Sequence, residues 1–391
     1  MSRFFRVAIL VITLLGFLTW PTSRFSIGMV LPEVQNSFSI GESEAGMLLS
    51  MLMLSSSIIM ALIGWIVGRV GIQRTYILGL GVLSVGLFLI ASATSFALLV
   101  FSMLVTGIGV GIMIPTVYTI FGEYLPKRRA LMLAIPNSVF GLGGLIGPWL
   151  TGNLLGIFEW TMPFLMFAVF SSIMTVMSVI FFGGRKTSRV VRNTSQGGYR
   201  RVLGSKNVFA IYVSMFLSNM AFVNLATWTP TFLRVFQGFS AVEAGIAFGL
   251  FSFAGIVGSI SLGIYSDKIN KRRIIVFITG LVSSVFSYLV YNMSHDFILF
   301  VMLLMFFGFS MYSYWNLLIA MGQESVGPEH IGTVTGLVQN AGVIGGIIGP
   351  PLVGLLIEQI GMNQAMVAGV SIPILLYSLT ILLWKPPKKT K

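Results

Sequence analysis

Eleven stretches of this chain run without Asp, Glu, Lys, Arg or His for long enough to cross a bilayer: Val7–Ser23, Ala45–Gly68, Thr75–Gly122, Ala130–Phe158, Trp160–Gly184, Asn207–Leu233, Ala244–Ser266, Ile274–Ser294, Phe297–Gln323, Ile331–Ile357 and Gln359–Trp384. A hydrocarbon core about 30 Å thick needs about 20 apolar residues in a helix. Thr75–Gly122 is about twice that length and is interrupted by Ser92-Ala93-Thr94-Ser95, so it reads as two helices joined by a tight turn. Twelve spans are therefore expected. The chain is 9% charged and 56% hydrophobic, whereas soluble domains carry about 25% charged residues. In the first run, Trp20-Pro21 is followed by apolar residues up to Leu31 with no small-x-small cleavage site, which predicts a retained span rather than a cleaved signal.

The net charge of +13 does not point to nucleic acid, because the basic residues sort by side. Counting alternate loops, one face collects 22 of the 24 Lys and Arg, leaving only Arg24 and Arg234. The opposite loops carry Glu33, Glu42, Glu44, Glu159, Glu243, Asp296 and Glu358. The positive-inside rule makes the basic face cytoplasmic, with both termini on it, as an even number of spans requires. The expected location is the plasma membrane. With no Cys, disulfide and thiolate chemistry are excluded, and 44 Gly allow close helix packing.

One long polar stretch divides the chain. It predicts an N-terminal six-helix bundle over 1–182, a basic linker over 183–206 and a C-terminal six-helix bundle over 207–391. Across the linker, cues recur at nearly constant offset: Ala45-Gly46 and Ala244-Gly245 by 199, Gly64 and Gly263 by 199, Glu123 and Glu324 by 201, Gly147-Pro148 and Gly349-Pro350 by 202. A repeat of this length in a polytopic chain is the mark of a secondary transporter. The fold class expected is all-α membrane, with twelve helices in two pseudo-symmetric bundles.

Two loops sharpen this. After the second span comes Gly64-Trp65-Ile66-Val67-Gly68-Arg69-Val70-Gly71-Ile72-Gln73-Arg74, and after the eighth Gly263-Ile264-Tyr265-Ser266-Asp267-Lys268-Ile269-Asn270-Lys271-Arg272-Arg273. Both resemble the cytoplasmic loop motif of the major facilitator superfamily, and span count, linker and repeat extend the resemblance over essentially the whole chain. The resemblance implies a gating role for Gly64, Arg69, Arg74, Asp267, Lys271 and Arg272, joined by Glu123 and Glu324, through ion pairs that break as the halves move. In the first copy Gly68 stands where the family has Asp. The segments around Gly147-Pro148 and Gly349-Pro350 resemble the superfamily's fifth-helix motif, in which small residues smooth one face and Pro bends the helix.

Arg24 is the one charge deep in a span. It lies 18 residues beyond Arg6, about 27 Å along a helix at 1.5 Å per residue, in the outer half of the bilayer. Inserting arginine near a helix centre costs ~2.5–3.5 kcal/mol, so one that is kept faces a cavity and has a task, or snorkels to the headgroups. A guanidinium keeps its proton and offers a planar fork suited to carboxylate or phosphate. The stretch Ser23–Pro32 resembles the first helix of the anion:cation symporter branch, in which an Arg at this place is implicated in binding the anionic substrate. Ser23 and Val110 replace the Asp and Glu usual in that branch.

Other polar or aromatic residues within spans complete the candidate substrate set: Tyr118, Asn137, Asn224, Trp228, Tyr312, Asn316, Gln339 and Asn340. His295 and His330 have no metal-ligand or nucleophile spacing, so an enzyme is not expected, and neither is a cofactor. The reading is a secondary or facilitative transporter of a small organic or inorganic anion by alternating access, expected as a monomer, with H+ or Na+ as candidate coupling ions. Its alternatives are an efflux antiporter for amphiphilic compounds and a non-transporting receptor on the same fold.

Overall fold

The computed structural model describes residues 3–124, 129–182, 205–269, 271–292, 296–327 and 330–385. The described residues are helical nearly throughout. In chain order the helices are α1 (Arg3–Phe38), α2 (Glu42–Val70), α3 (Ile72–Ala91), α4 (Phe96–Tyr124), α5 (Arg129–Leu155), α6 (Met162–Phe182), α7 (Lys206–Thr231), α8 (Ala241–Ile269), α9 (Arg272–Asn292), α10 (Phe297–Met311), α11 (Tyr314–Glu324), α12 (Ile331–Ile360), α13 (Met362–Met366) and α14 (Ile372–Thr380). Wider π-helical turns, Phe232–Phe236 and Val367–Ser371, continue α7 and join α13 to α14. Among the described residues, eleven helical stretches are long and apolar enough to cross a membrane, and α5 adds a further helix of 27 residues. The long run over residues 75–122 divides as its composition predicts, α3 ending at Ala91 and α4 starting at Phe96. Most of the linker 183–206 lies outside the described residues, as do Lys127, Arg128 and His295.

The chain forms two compact units. The first comprises Met1–Ile40, Met47–Arg192 and Ser240–Gly249. In it α3 packs on α4 and α6, and α1 packs along α5. The buried faces carry Leu80, Leu83 and Leu87 of α3, Met113 and Val117 of α4, and Phe164 and Phe167 of α6. Burying polar groups away from water requires partners, and the hydroxyls here find them on neighbouring helices. Tyr76 Oη donates to the Thr13 carbonyl at 3.0 Å, tying α3 to α1, and Ser84 Oγ donates to Ser171 Oγ at 2.8 Å, tying α3 to α6. The α1–α5 contact depends on missing side chains. A Cβ at Gly143 would lie 2.5 Å from Pro21, and one at Gly147 would collide with the Thr22 carbonyl. Within this seam Thr151 Oγ1 donates to Ser26 Oγ at 2.8 Å, and Ser26 Oγ donates to the Thr22 carbonyl at 2.9 Å.

The second unit comprises Gly41–Gly46, Asn193–Phe239 and Leu250–Lys391. Here α7 packs along α12, the counterpart of the α1–α5 seam, and α9 packs on α10 and α14. A Cβ at Gly345 would strike the Phe216 carbonyl, and one at Gly349 would strike Asn224. Three α7 side chains stitch this unit: Asn219 Nδ2 donates to the Gly342 carbonyl at 2.6 Å, Asn224 Nδ2 to the Gly369 carbonyl at 2.7 Å, and Trp228 Nε1 to the Pro350 carbonyl at 3.0 Å. The Gly369 carbonyl belongs to the π-helical turn Val367–Ser371 and lies four residues before Pro373, which has no N–H to offer it. At the far end of the unit the Asn207 side chain pairs reciprocally with the Lys385 backbone, donating to its carbonyl at 2.7 Å and accepting from its N–H at 3.0 Å.

The span over residues 297–324 departs from a single helix. It is interrupted at Tyr312–Ser313, between α10 and α11, with no proline at the break. Ser310 Oγ lies within bonding distance of the Phe306 and Phe307 carbonyls and accepts from Ser283 Oγ at 2.7 Å, while Ser313 Oγ donates to the Ser310 carbonyl at 3.2 Å. Hydroxyls bonded back to the preceding turn compete with the helical ladder and bend it.

Candidate substrate site

Arg24 projects from α1 into a wall of aromatic rings. Its guanidinium carbon lies 5.6 Å from the Trp20 ring, 5.8 Å from Phe25 and 5.6 Å from Phe140 of α5. Phe25 and Phe140 meet edge to face at 5.4 Å. The side chain is half-buried, whereas Ser23 and Phe25 on either side of it are buried. Ring faces within about 6 Å attract a guanidinium by ~0.5–2 kcal/mol each, and more when water is thin, so the cation is held in place by its neighbours. Trp20 stands one turn before Arg24 on the same helix, while Phe140 is brought in by the glycine seam that draws α5 against α1.

One turn before Phe140 on the same helix stands Asn137, whose Oδ1 accepts from Tyr118 Oη of α4 at 2.6 Å. Asn137 is exposed and Tyr118 half-buried, so the pair keeps an amide N–H2 and a phenol lone pair available one helical turn from Phe140. Exposure of an amide within a spanning helix is costly against lipid, so these faces meet water or protein. The same holds in the second unit for Asn316 of α11 and for Gln339 and Asn340 of α12, all exposed. At the 202-residue offset of the Gly-Pro segments, Gln339 is the repeat equivalent of Asn137, so each half presents an exposed amide at the same place on the same helix.

The remaining sequence candidates take other positions. Asn224 and Trp228 are fully buried and hold α7 to its neighbours. Tyr312 lies at the break of its span, where its ring covers Gly255 of α8, meets Phe222 at 5.3 Å and Phe251 at 5.6 Å, and its hydroxyl donates to Ser252 Oγ at 3.2 Å. Asn224 Oδ1 is a buried acceptor without a donor. Gly349 faces Asn224 as its repeat equivalent Gly147 faces Ser26; Ser26 receives a hydrogen bond from Thr151, whereas Val353, at the position of Thr151, has no hydroxyl to give. Trp20, Phe25 and Phe140 were absent from the sequence candidates. The i−4 spacing of Trp20 to Arg24 is readable in the sequence, but nothing in it links Phe140 to α1 beyond the glycines that follow.

The gating candidates divide between the units. In the second, Arg272 donates to Asp267 Oδ1 at 2.6 Å and to Glu324 Oε1, joining the end of α8, the start of α9 and the end of α11. Lys271 beside it is exposed. In the first, Arg69 lies over the Trp65 ring at 4.0 Å, Arg74 and Glu123 are exposed, and Gly64 borders open space.

Helices of this length and hydropathy, arranged as two compact units, define a multi-pass membrane protein. Its family follows from comparison: a model described as the Major Facilitator Superfamily matches residues 12–350, and the chain belongs to that superfamily. Its curated relatives carry the names of solute transporters, the chain spanning 63% of the first of them, and it resembles the anion:cation symporter branch. The chain is 28% identical over 292 residues to the 4-hydroxybenzoate transporter PcaK of Acinetobacter baylyi, a match covering 64% of this chain and 63% of that protein. It is 23% identical to the hexuronate transporter of Bacillus subtilis, covering 86% of this chain and 85% of that one, and 25% identical to the probable sulfoacetate transporter SauU of Cupriavidus necator, covering 86% and 84%. Among solved structures, the inward-facing, unoccupied bacterial homologue of the human lysosomal transporter Spinster shares the fold with a TM-score of 0.83 at 17% identity, covering 99% of this chain and 100% of that one.

Proposed function

We propose that this chain is a secondary transporter for a small organic carboxylate, working by alternating access, with Arg24 as the contact for the carboxylate group. The single observation that carries the reading is the Arg24 guanidinium set among Trp20, Phe25 and Phe140. A fixed planar cation pairs a carboxylate through two parallel hydrogen bonds, and aromatic walls favour an anion whose body is apolar or ring-shaped over a fully hydrated inorganic one. The Tyr118–Asn137 pair, one helical turn away, supplies a donor and an acceptor for a polar substituent on that body. Relatives named for 4-hydroxybenzoate, hexuronate and sulfoacetate support an organic acid as cargo. Arg24 cannot surrender its proton, so any coupling proton or Na+ travels by another group or with the substrate. The distribution of Lys and Arg supports a placement with both termini on the cytoplasmic side.

The test is thermal unfolding of purified protein against a panel of aromatic and aliphatic carboxylates, followed by uptake of the strongest stabiliser into proteoliposomes. Ring-bearing carboxylates are expected to stabilise the wild type, with the effect abolished in Arg24→Gln and weakened in Arg24→Lys, which keeps the charge but loses the fork. Equal stabilisation of wild type and Arg24→Gln defeats the reading, as does stabilisation by lipophilic cations alone.

A further inference from the structure

The two copies of the loop motif handle their positive charge differently. In the second unit Arg272 is neutralised twice, by Asp267 and Glu324. In the first, Gly68 stands in the acid position, and among the described residues no carboxylate lies within ion-pair distance of Arg69 or Arg74. Both arginines are exposed, and the link between α2 and α3 is the single residue Gly71, so the two charges sit on adjoining helix ends. Two exposed cations on adjoining helix ends, five residues apart in sequence, favour an anion that both can reach.

The surface leading to them has a definite order. Ile58, Leu62, Trp65 and Arg69 follow at intervals of four, three and four residues, so they lie in one line along α2. The first three are 56%, 51% and 55% exposed. Trp65 stacks under Arg69, with the guanidinium carbon 4.0 Å from the ring centre. Beside this line, side chains added at Gly64 or Gly68 would meet nothing within 4 Å, so the flank of the helix is open. Apolar surface, then an indole, then two exposed guanidiniums repeats the sequence of a phospholipid read from acyl chain through glycerol to phosphate.

We propose that the end of α2 and the start of α3 form a binding site for an anionic phospholipid, with Arg69 and Arg74 holding its phosphate, Trp65 the glycerol region and Leu62 and Ile58 the acyl chain. The lipid supplies to the first half the negative charge that Asp267 and Glu324 supply to the second. The site is separate from Arg24 and does not rest on the carboxylate reading.

The experiment is thermal unfolding of the full-length protein in detergent with added dioleoyl-phosphatidylglycerol, dioleoyl-phosphatidylcholine or inorganic phosphate, with native mass spectrometry as a second readout of bound lipid. Phosphatidylglycerol is expected to raise the melting temperature and to remain bound, while the other two do neither. The Arg69→Gln/Arg74→Gln double variant is expected to lose both effects, Trp65→Ala to weaken them, and Arg69→Lys/Arg74→Lys and Arg24→Gln to keep them. Undiminished lipid retention in the double glutamine variant overturns the site. Equal stabilisation of the wild type by phosphatidylcholine or by inorganic phosphate overturns its assignment to an anionic lipid.

Discussion

Arg24 was legible as the one cation deep in an uncharged run, and hydropathy alone is enough to single it out. What surrounds it was only half legible. Trp20 shares its helix face by spacing, but Phe140 arrives from another span, and no local pattern announces a contact made through tertiary packing. The aromatic ring matters to the guanidinium as a held partner, so Phe140→Ala is expected to weaken carboxylate binding by roughly two- to thirty-fold, the equivalent of ~0.5–2 kcal/mol, while leaving the fold intact. A carboxylate titration monitored by tryptophan fluorescence checks this, and unchanged affinity removes Phe140 from the site. Tyr118→Phe deletes one hydroxyl and keeps the ring. It is expected to lower affinity for hydroxylated substrates more than for their unsubstituted counterparts, and equal loss for both argues against a role in reading the substituent.

The helices themselves were readable where their signals are local, and the tight turn over residues 92–95 is one such place. The Gly-Pro segments likewise predicted close packing, which α1 with α5 and α7 with α12 make. The break at Tyr312–Ser313 was not readable, because the usual cause, proline, is missing and the agents are serine hydroxyls bonded back along the chain. Asn224 was a candidate for substrate contact because polar residues within spans are costly without a task; its task here is to cap the Gly369 carbonyl, a contact between distant segments that no local pattern announces. Asn224→Ala strands the Gly369 carbonyl and is expected to destabilise the protein by ~1–3 kcal/mol. Val353→Thr, which restores the hydroxyl found at Thr151 in the first unit, is expected to raise stability by ~0.5–1.5 kcal/mol. Denaturation curves decide both, and a neutral Asn224→Ala contradicts the capping role.

Over the molecule as a whole, the repeat was visible as a constant offset, yet the two copies differ in charge. Exposed ion pairs contribute ~0–1 kcal/mol each, so the Arg272 node is a poor source of stability. Asp267→Asn is therefore expected to shift the melting temperature little while changing the rate of uptake under the proposed alternating-access cycle. A comparable fall in stability with unchanged uptake assigns the node to structure alone. The reciprocal pairing of Asn207 with Lys385 has a consequence for engineering. Because the start of α7 and the segment after α14 are hydrogen-bonded to each other although 178 residues apart in sequence, truncating the chain before Lys385 removes a clamp from the start of α7.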